Sequence, residues 1–187
     1  TGTVRQPVAT GGSWHWKCYK LQIMQGTTGK ILVSMTSYPG RIKNVGISIF
    51  LLLEQQTLPP DEVHLWLAVP QFPNKEADLP EDLQKVIKHP KVKLHWLPEN
   101  TYVHKRHEIF KIAAPEDCVF LIDDDVKYAD NLIETVMGVH RKHPGCIVCY
   151  NNYAFHEYKG KRILYRNSNL GPGPHVNKVR WCGQSMI

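Results

Sequence analysis

Residues Val119–Tyr128 read VFLIDDDVKY: four apolar residues run straight into three adjacent aspartates, Asp123, Asp124 and Asp125. An unbroken apolar run bounded by a turn signal marks a strand buried on both faces, as in a parallel sheet. Three like charges at its end repel one another, and such a cluster sheds charge unless a cation holds it. A divalent cation that favours hard oxygen ligands resolves the repulsion, which points to Mg²⁺ or Mn²⁺. The competing reading is a solvated acidic turn leading into the next helix.

The chain around this stretch repeats one alternation. Ile31–Met35 has a buried-strand pattern and breaks at Pro39-Gly40. NVGISIFLLLEQQ (44–56) predicts a helix, with Asn44 as its N-cap and Pro59-Pro60 as its stop. EVHLWLAV (62–69) is a second strand, and LPEDLQKVIKH (79–89) a short helix with acids in its first turn and Lys88 and His89 in its last. VKLHWL (92–97) is a third strand, HKRHEIFKIA (104–113) a helix, and CVFLI (118–122) the fourth strand. ADNLIETVMGVHRKH (129–143) closes the series as a helix, with Asp130 as its cap. This alternation with short links demands right-handed crossovers and a mostly parallel sheet with helices on both faces. After about residue 146 the pattern changes, and NNYAFHEYKGKRILYRN predicts an antiparallel hairpin around Lys159-Gly160-Lys161. Residues 1–28 read as an N-terminal extension or linker, and 29–187 as a single domain truncated at its C-terminal end.

The 187 residues suffice to bury a core. Net charge is +6, and beyond Glu134 the sole acidic residue is Glu157, against eight Lys and Arg from Arg141 to Arg180. A basic C-terminal third expects an anionic partner: a nucleotide, or the acidic headgroups of a membrane to which the protein associates peripherally. A nucleic-acid partner is not expected, because the basic residues lack an interleaved aromatic surface motif. The five cysteines are an odd count, and Cys146 and Cys149 sit among Ile, Val and Tyr, so structural cysteines in a sheet are expected over a redox or zinc pair. The longest apolar run, Val45–Leu53, is too short to span a bilayer. The expected location is the cytoplasm, at the inner face of the membrane.

Ligands of such sheets bind beyond the carboxyl ends of the strands. Three segments occupy such ends: TSYPGR after the first strand, LPENTYVHK after the third and DDDVKY after the fourth. The sequence carries no Walker loop, no G-x-G-x-x-G after the first strand, no H-E-x-x-H pair and no nucleophile elbow. A phosphatase motif of the form D-x-D-x-[TV] needs Thr or Val where this chain has Lys127. Trp66 and Trp96 are expected in the core, while Tyr102 and Tyr128 flank the crevice.

ILVSMTSYPGRIKNVGISIFLLLEQQTLPPDEVHLWLA, followed by VFLIDDDVKY and ADNLIETVMGVHRKHP, resembles GT-A-type glycosyltransferases, especially the bacterial family-two-like nucleotide-sugar transferases of polysaccharide biosynthesis. The likeness covers roughly residues 30–150 and rests on the order and spacing of the motifs; the ending WCGQSMI resembles the small-residue segment beside the sugar pocket. It implies a GT-A, Rossmann-like fold and transfer of a sugar from a UDP- or GDP-sugar donor to a glycan or lipid-linked acceptor. By position, Thr36, Ser37 and Tyr38 would contact base and ribose, Arg41 the diphosphate or base, and Lys105 the nucleotide. Asp123 and Asp125 would hold the Mn²⁺ or Mg²⁺ of the D-x-D element, and Asp124 the ribose or donor sugar. The resemblance also calls for a base on the acceptor side; Glu157 is the candidate within the chain, with a residue beyond Ile187 or a retaining mechanism as alternatives. A non-catalytic nucleotide- or carbohydrate-binding relative and a nucleotidyltransferase are the competing functions.

Overall fold

The computed structural model describes residues 29–143 and Ile147–Val148 with their side chains. It describes the backbone alone of Cys149 and of the strands Gly2–Thr10, Ser13–Leu21, Tyr153–Tyr158, Lys161–Asn167 and His175–Asn177. The turn and side chains of the hairpin expected after residue 150 lie outside the described residues, as do the side chains of Glu157 and of all cysteines except Cys118.

Four strands form one all-parallel sheet: β1 (Ile31–Thr36), β2 (Glu62–Ala68), β3 (Val92–Leu97) and β4 (Cys118–Leu121), in the order β3-β2-β1-β4. Three α-helices flank it: α1 (Val45–Glu54), α2 (Glu81–Val86) and α3 (Leu132–Lys142). The chain steps outward from β1 to β3 and then returns past β1 to lay down β4 on its other side. Right-handed crossovers that reverse direction must pass over the opposite face of the sheet.

The core shows that reversal. Val33, Met35, Val63, Leu65 and Phe120 face the first side, where they pack with Val45 and Ile49 of α1, Leu83 of α2 and Ile133 and Val136 of α3. Leu32, Trp66 and Leu121 face the second side and pack on Ile109. Helices on both faces were expected, and helical segments do lie on both: the three α-helices share one face, and a 3-10 helix, Tyr102–Lys111, covers part of the other. That segment replaces the α-helix expected at 104–113. One of its carbonyls is tied to the sheet, Ser34 Oγ donating to Arg106 O at 2.7 Å. A three-residue repeat then aligns Arg106 and Ile109 toward the sheet, both buried.

The helix termini also differ in detail from expectation. Asn44 stands at the N-cap of α1 without a side-chain capping bond, and Asn131, not Asp130, stands at the N-cap of α3. The carbonyl of Asp130 accepts from Thr57 N at 2.7 Å. Among the described residues no helix is long and apolar enough to cross a membrane.

Candidate functional site

The reversal of strand order leaves a crevice at the carboxyl ends of β1 and β4, where no crossover covers the gap between them. The turns that follow these two strands are Thr36–Arg41 and Asp123–Asp125. Both line one cavity of about 400 Å³, joined by Gln71 from beyond β2, Asn100 from beyond β3, and Tyr102, Lys105 and Arg106 of the 3-10 segment. Thr36, Ser37, Tyr38, Arg41, Lys105, Asp123 and Asp124 are therefore brought together. Asp125, half exposed, is tied to this group through Arg41.

The three carboxylates have different surroundings. Asp124 is buried, accepts from Ser37 Oγ at 2.5 Å and faces Arg41 Nη1 at 3.2 Å. Its carbonyl accepts from Ser48 Oγ of α1 at 3.1 Å. Asp124 thus clasps the β4 turn to the β1 turn and to the helix behind it. Asp123 pairs with Arg106 at 2.6 Å, and the same guanidinium nitrogen donates to Ile122 O at 3.0 Å. The Asp123 amide donates to the Tyr128 hydroxyl at 2.8 Å, which places Tyr128 behind the acidic turn. Asp125 meets the same Arg41 nitrogen that faces Asp124. Arg41 also stacks over the Tyr38 ring, 5.2 Å from its centroid; Tyr38, and then Asp124 and Asp125 against burial, hold the guanidinium above its ordinary value.

Two guanidinium groups accordingly offset the charge of three carboxylates, so the repulsion that calls for a divalent cation is partly relieved by the protein itself. Among the described residues no group of three or more His, Cys, Asp or Glu is arranged to hold a metal alone. A magnesium-type cation needs less, since one or two carboxylates suffice when substrate phosphates and water complete the shell. Asp125, half exposed, and Asp123, more than a quarter exposed, offer the hard oxygen donors such a cation takes.

Lys105 completes the cavity. Its side chain is 2% exposed, and its ammonium donates to Asn100 Oδ1 at 2.8 Å and Gln71 Oε1 at 3.2 Å. Burial pushes its pKa below the usual lysine value, opposed by the charge of Asp124. Tyr102 adopts a positive φ of 54° and is three-quarters exposed at the cavity rim. A bulky residue held in that region is strained, and such strain gathers at functional sites.

Thr36 lines the cavity, and its hydroxyl donates to Trp66 O at 2.7 Å. Sequence reasoning missed Gln71, Asn100 and Arg106. Gln71 follows the second strand, an end that the carboxyl-end rule covers as much as the other three. Arg106 escaped because an α-helical reading of 104–113 does not single it out, whereas a three-residue repeat sets it beside Ile109. The side chain of Glu157 lies outside the described residues.

No protein-family model matches the chain, and no curated protein matches it. The class that fold and cavity define is an α/β protein with a parallel sheet and a polar, charged crevice at its switch point.

Proposed function

We propose that the protein is a metal-dependent glycosyltransferase that moves a sugar from a UDP- or GDP-sugar to a glycan or lipid-linked acceptor. The observation that carries this reading is the meeting of the Thr36–Arg41 turn, the acidic turn and Lys105 around one cavity at the reversal of the sheet. That cavity has the size of a small-molecule site. The reading extends to a GT-A form of the fold with a C-terminal antiparallel hairpin, and to peripheral association of the basic C-terminal third with the inner face of a membrane.

In this reading Asp123 and Asp125 hold Mn²⁺ or Mg²⁺, which when bound supplies positive charge against the departing nucleoside diphosphate. The chain's own residues do the remaining work. Ser37 and Arg41 fix Asp124, and through it the acidic turn, in a single geometry. Tyr38 presents a half-exposed ring for stacking on a base. Arg41, 41% exposed at the mouth, is placed to follow the negative charge of the diphosphate. Glu157 remains the candidate base for the acceptor hydroxyl.

One observation favours a second reading, a non-catalytic nucleotide- or carbohydrate-binding relative: each aspartate already faces an arginine. Incubation with a panel of UDP- and GDP-sugars and Mn²⁺ separates the readings. A transferase releases nucleoside diphosphate, and the release stops on Asp125→Ala. A nucleotidyltransferase given a nucleoside triphosphate and a sugar phosphate releases pyrophosphate instead. Binding without release of either product overturns the transferase reading in favour of the non-catalytic one.

A further inference from the structure

Lys105 presents a problem that the acidic turn solves only in part, through the charge of Asp124 acting without contact. A buried ammonium is costly unless paired with an opposite charge. Arg41 and Arg106 have carboxylates in contact; Lys105 forms no ion pair among the described residues and touches two neutral amide oxygens instead. Those contacts also orient their donors. Asn100 Oδ1 accepts from both Lys105 Nζ and the Tyr102 amide, the latter at 3.1 Å, which fixes the carboxamide with its NH₂ group turned away from Lys105. Gln71 is oriented in the same sense by its single bond to Lys105. All three residues line the cavity. This end of it, beyond β2 and β3, therefore gathers a cation and two NH₂ donors, and among the described residues no carboxylate contacts the ammonium.

We infer that Lys105, Gln71 and Asn100 form an oxyanion subsite that binds a phosphate or carboxylate group without metal. The inference deepens the nucleotide-sugar reading: substrate would be held at two separate ends, by the Asp125 side through a cation and by the Lys105 side directly. The anion supplies the contacting opposite charge that Lys105 lacks, and the two carboxamides offer NH₂ donors beside it. A phosphate group of the nucleotide and a carboxylate on an acidic sugar share this chemistry.

The test uses the whole chain in EDTA, with amide chemical-shift titrations of inorganic pyrophosphate and, separately, of glucuronate. The informative variant is Gln71→Glu, which places a carboxylate at the position 3.2 Å from the Lys105 ammonium and fills the subsite from within. The expected result is saturable binding of at least one of the two anions to the native chain. Gln71→Glu should weaken it tenfold or more while raising the melting temperature, and Lys105→Met should abolish it. The rise in melting temperature shows that the Glu variant is folded, so lost binding cannot be lost structure. Preference for pyrophosphate or for glucuronate assigns the source of the anion. If neither anion binds without metal, or if Gln71→Glu leaves binding unchanged, Lys105 is a structural tie between loops and the subsite does not exist. Because the titration excludes metal, its failure leaves the metal-dependent reading standing, and failure of that reading leaves the titration informative.

Discussion

At the scale of single residues, the three aspartates do three different things. Asp124, in the middle, is a structural clasp whose partners come from the β1 turn and from α1. Truncating one partner of a buried polar network leaves the others unsatisfied. Asp124→Ala is therefore expected to cost about 2 kcal/mol, most of it from the buried Ser37 side and little from the exposed Arg41. Denaturant melts of Asp124→Ala against Asp125→Ala check this, and Asp125→Ala should lie close to the native midpoint. The sequence placed these carboxylates at the end of a buried strand and showed nothing of this division. The acidic run VFLIDDDVKY is visible by inspection, but which aspartate turns inward depends on where the β1 turn and α1 come to rest, and that is tertiary information. The same holds for Thr36: its place at the end of a strand was legible, its bond to Trp66 O was not.

At the scale of elements, strand positions followed the apolar patterning closely: the two inner strands, β1 and β2, are buried almost throughout, as parallel strands covered on both faces are. VKLHWL was expected at 92–97 and β3 spans Val92–Leu97. The 3-10 segment was not legible, because the bond from Ser34 to Arg106 O that ties it to the sheet links residues far apart in sequence. β1 also begins under a close contact. A Cβ added to Gly29 would lie 2.0 Å from Glu116 O, a backbone atom that cannot swing aside. Gly29→Ala should therefore destabilise by about 1–3 kcal/mol through forced backbone shifts, measured by thermal melting. Across β2 and β3, His64 Nδ1 and His95 Nε2 meet at 2.9 Å, and the two rings stack with Trp66. Burial, and secondarily the charge of His64, hold the His95 pKa at about 4. The unfolded chain takes up this proton near the ordinary value of 6.5 and the folded chain only near 4. Stability from this site is complete above pH 6.5 and is lost as pH falls through about 4. The loss is on the order of 2 kcal/mol after allowance for solvent screening. Melting temperatures measured from pH 7 to pH 4 should fall, and His95→Phe should flatten the lower part of that slope.

At the scale of the whole molecule, the strand order β3-β2-β1-β4 gives the site its position. Alternating strands and helices predicted a parallel sheet, yet alternation alone cannot say where the order reverses, since that depends on which edge the fourth strand joins. Once β4 lies beside β1, the acidic turn and the Ser37 turn must share a crevice, and the 3-10 segment that crosses the opposite face carries Lys105 into the same cavity. In the proposed function this convergence serves a nucleotide held through a divalent cation at Asp125. Calorimetric titration with UDP, GDP and CMP, each with and without Mn²⁺, on the native chain and on Asp125→Ala, tests it most directly. UDP or GDP is expected to bind at least tenfold more tightly with Mn²⁺, and Asp125→Ala to remove this gain. Equal affinity with and without metal, or a gain that survives Asp125→Ala, would contradict it.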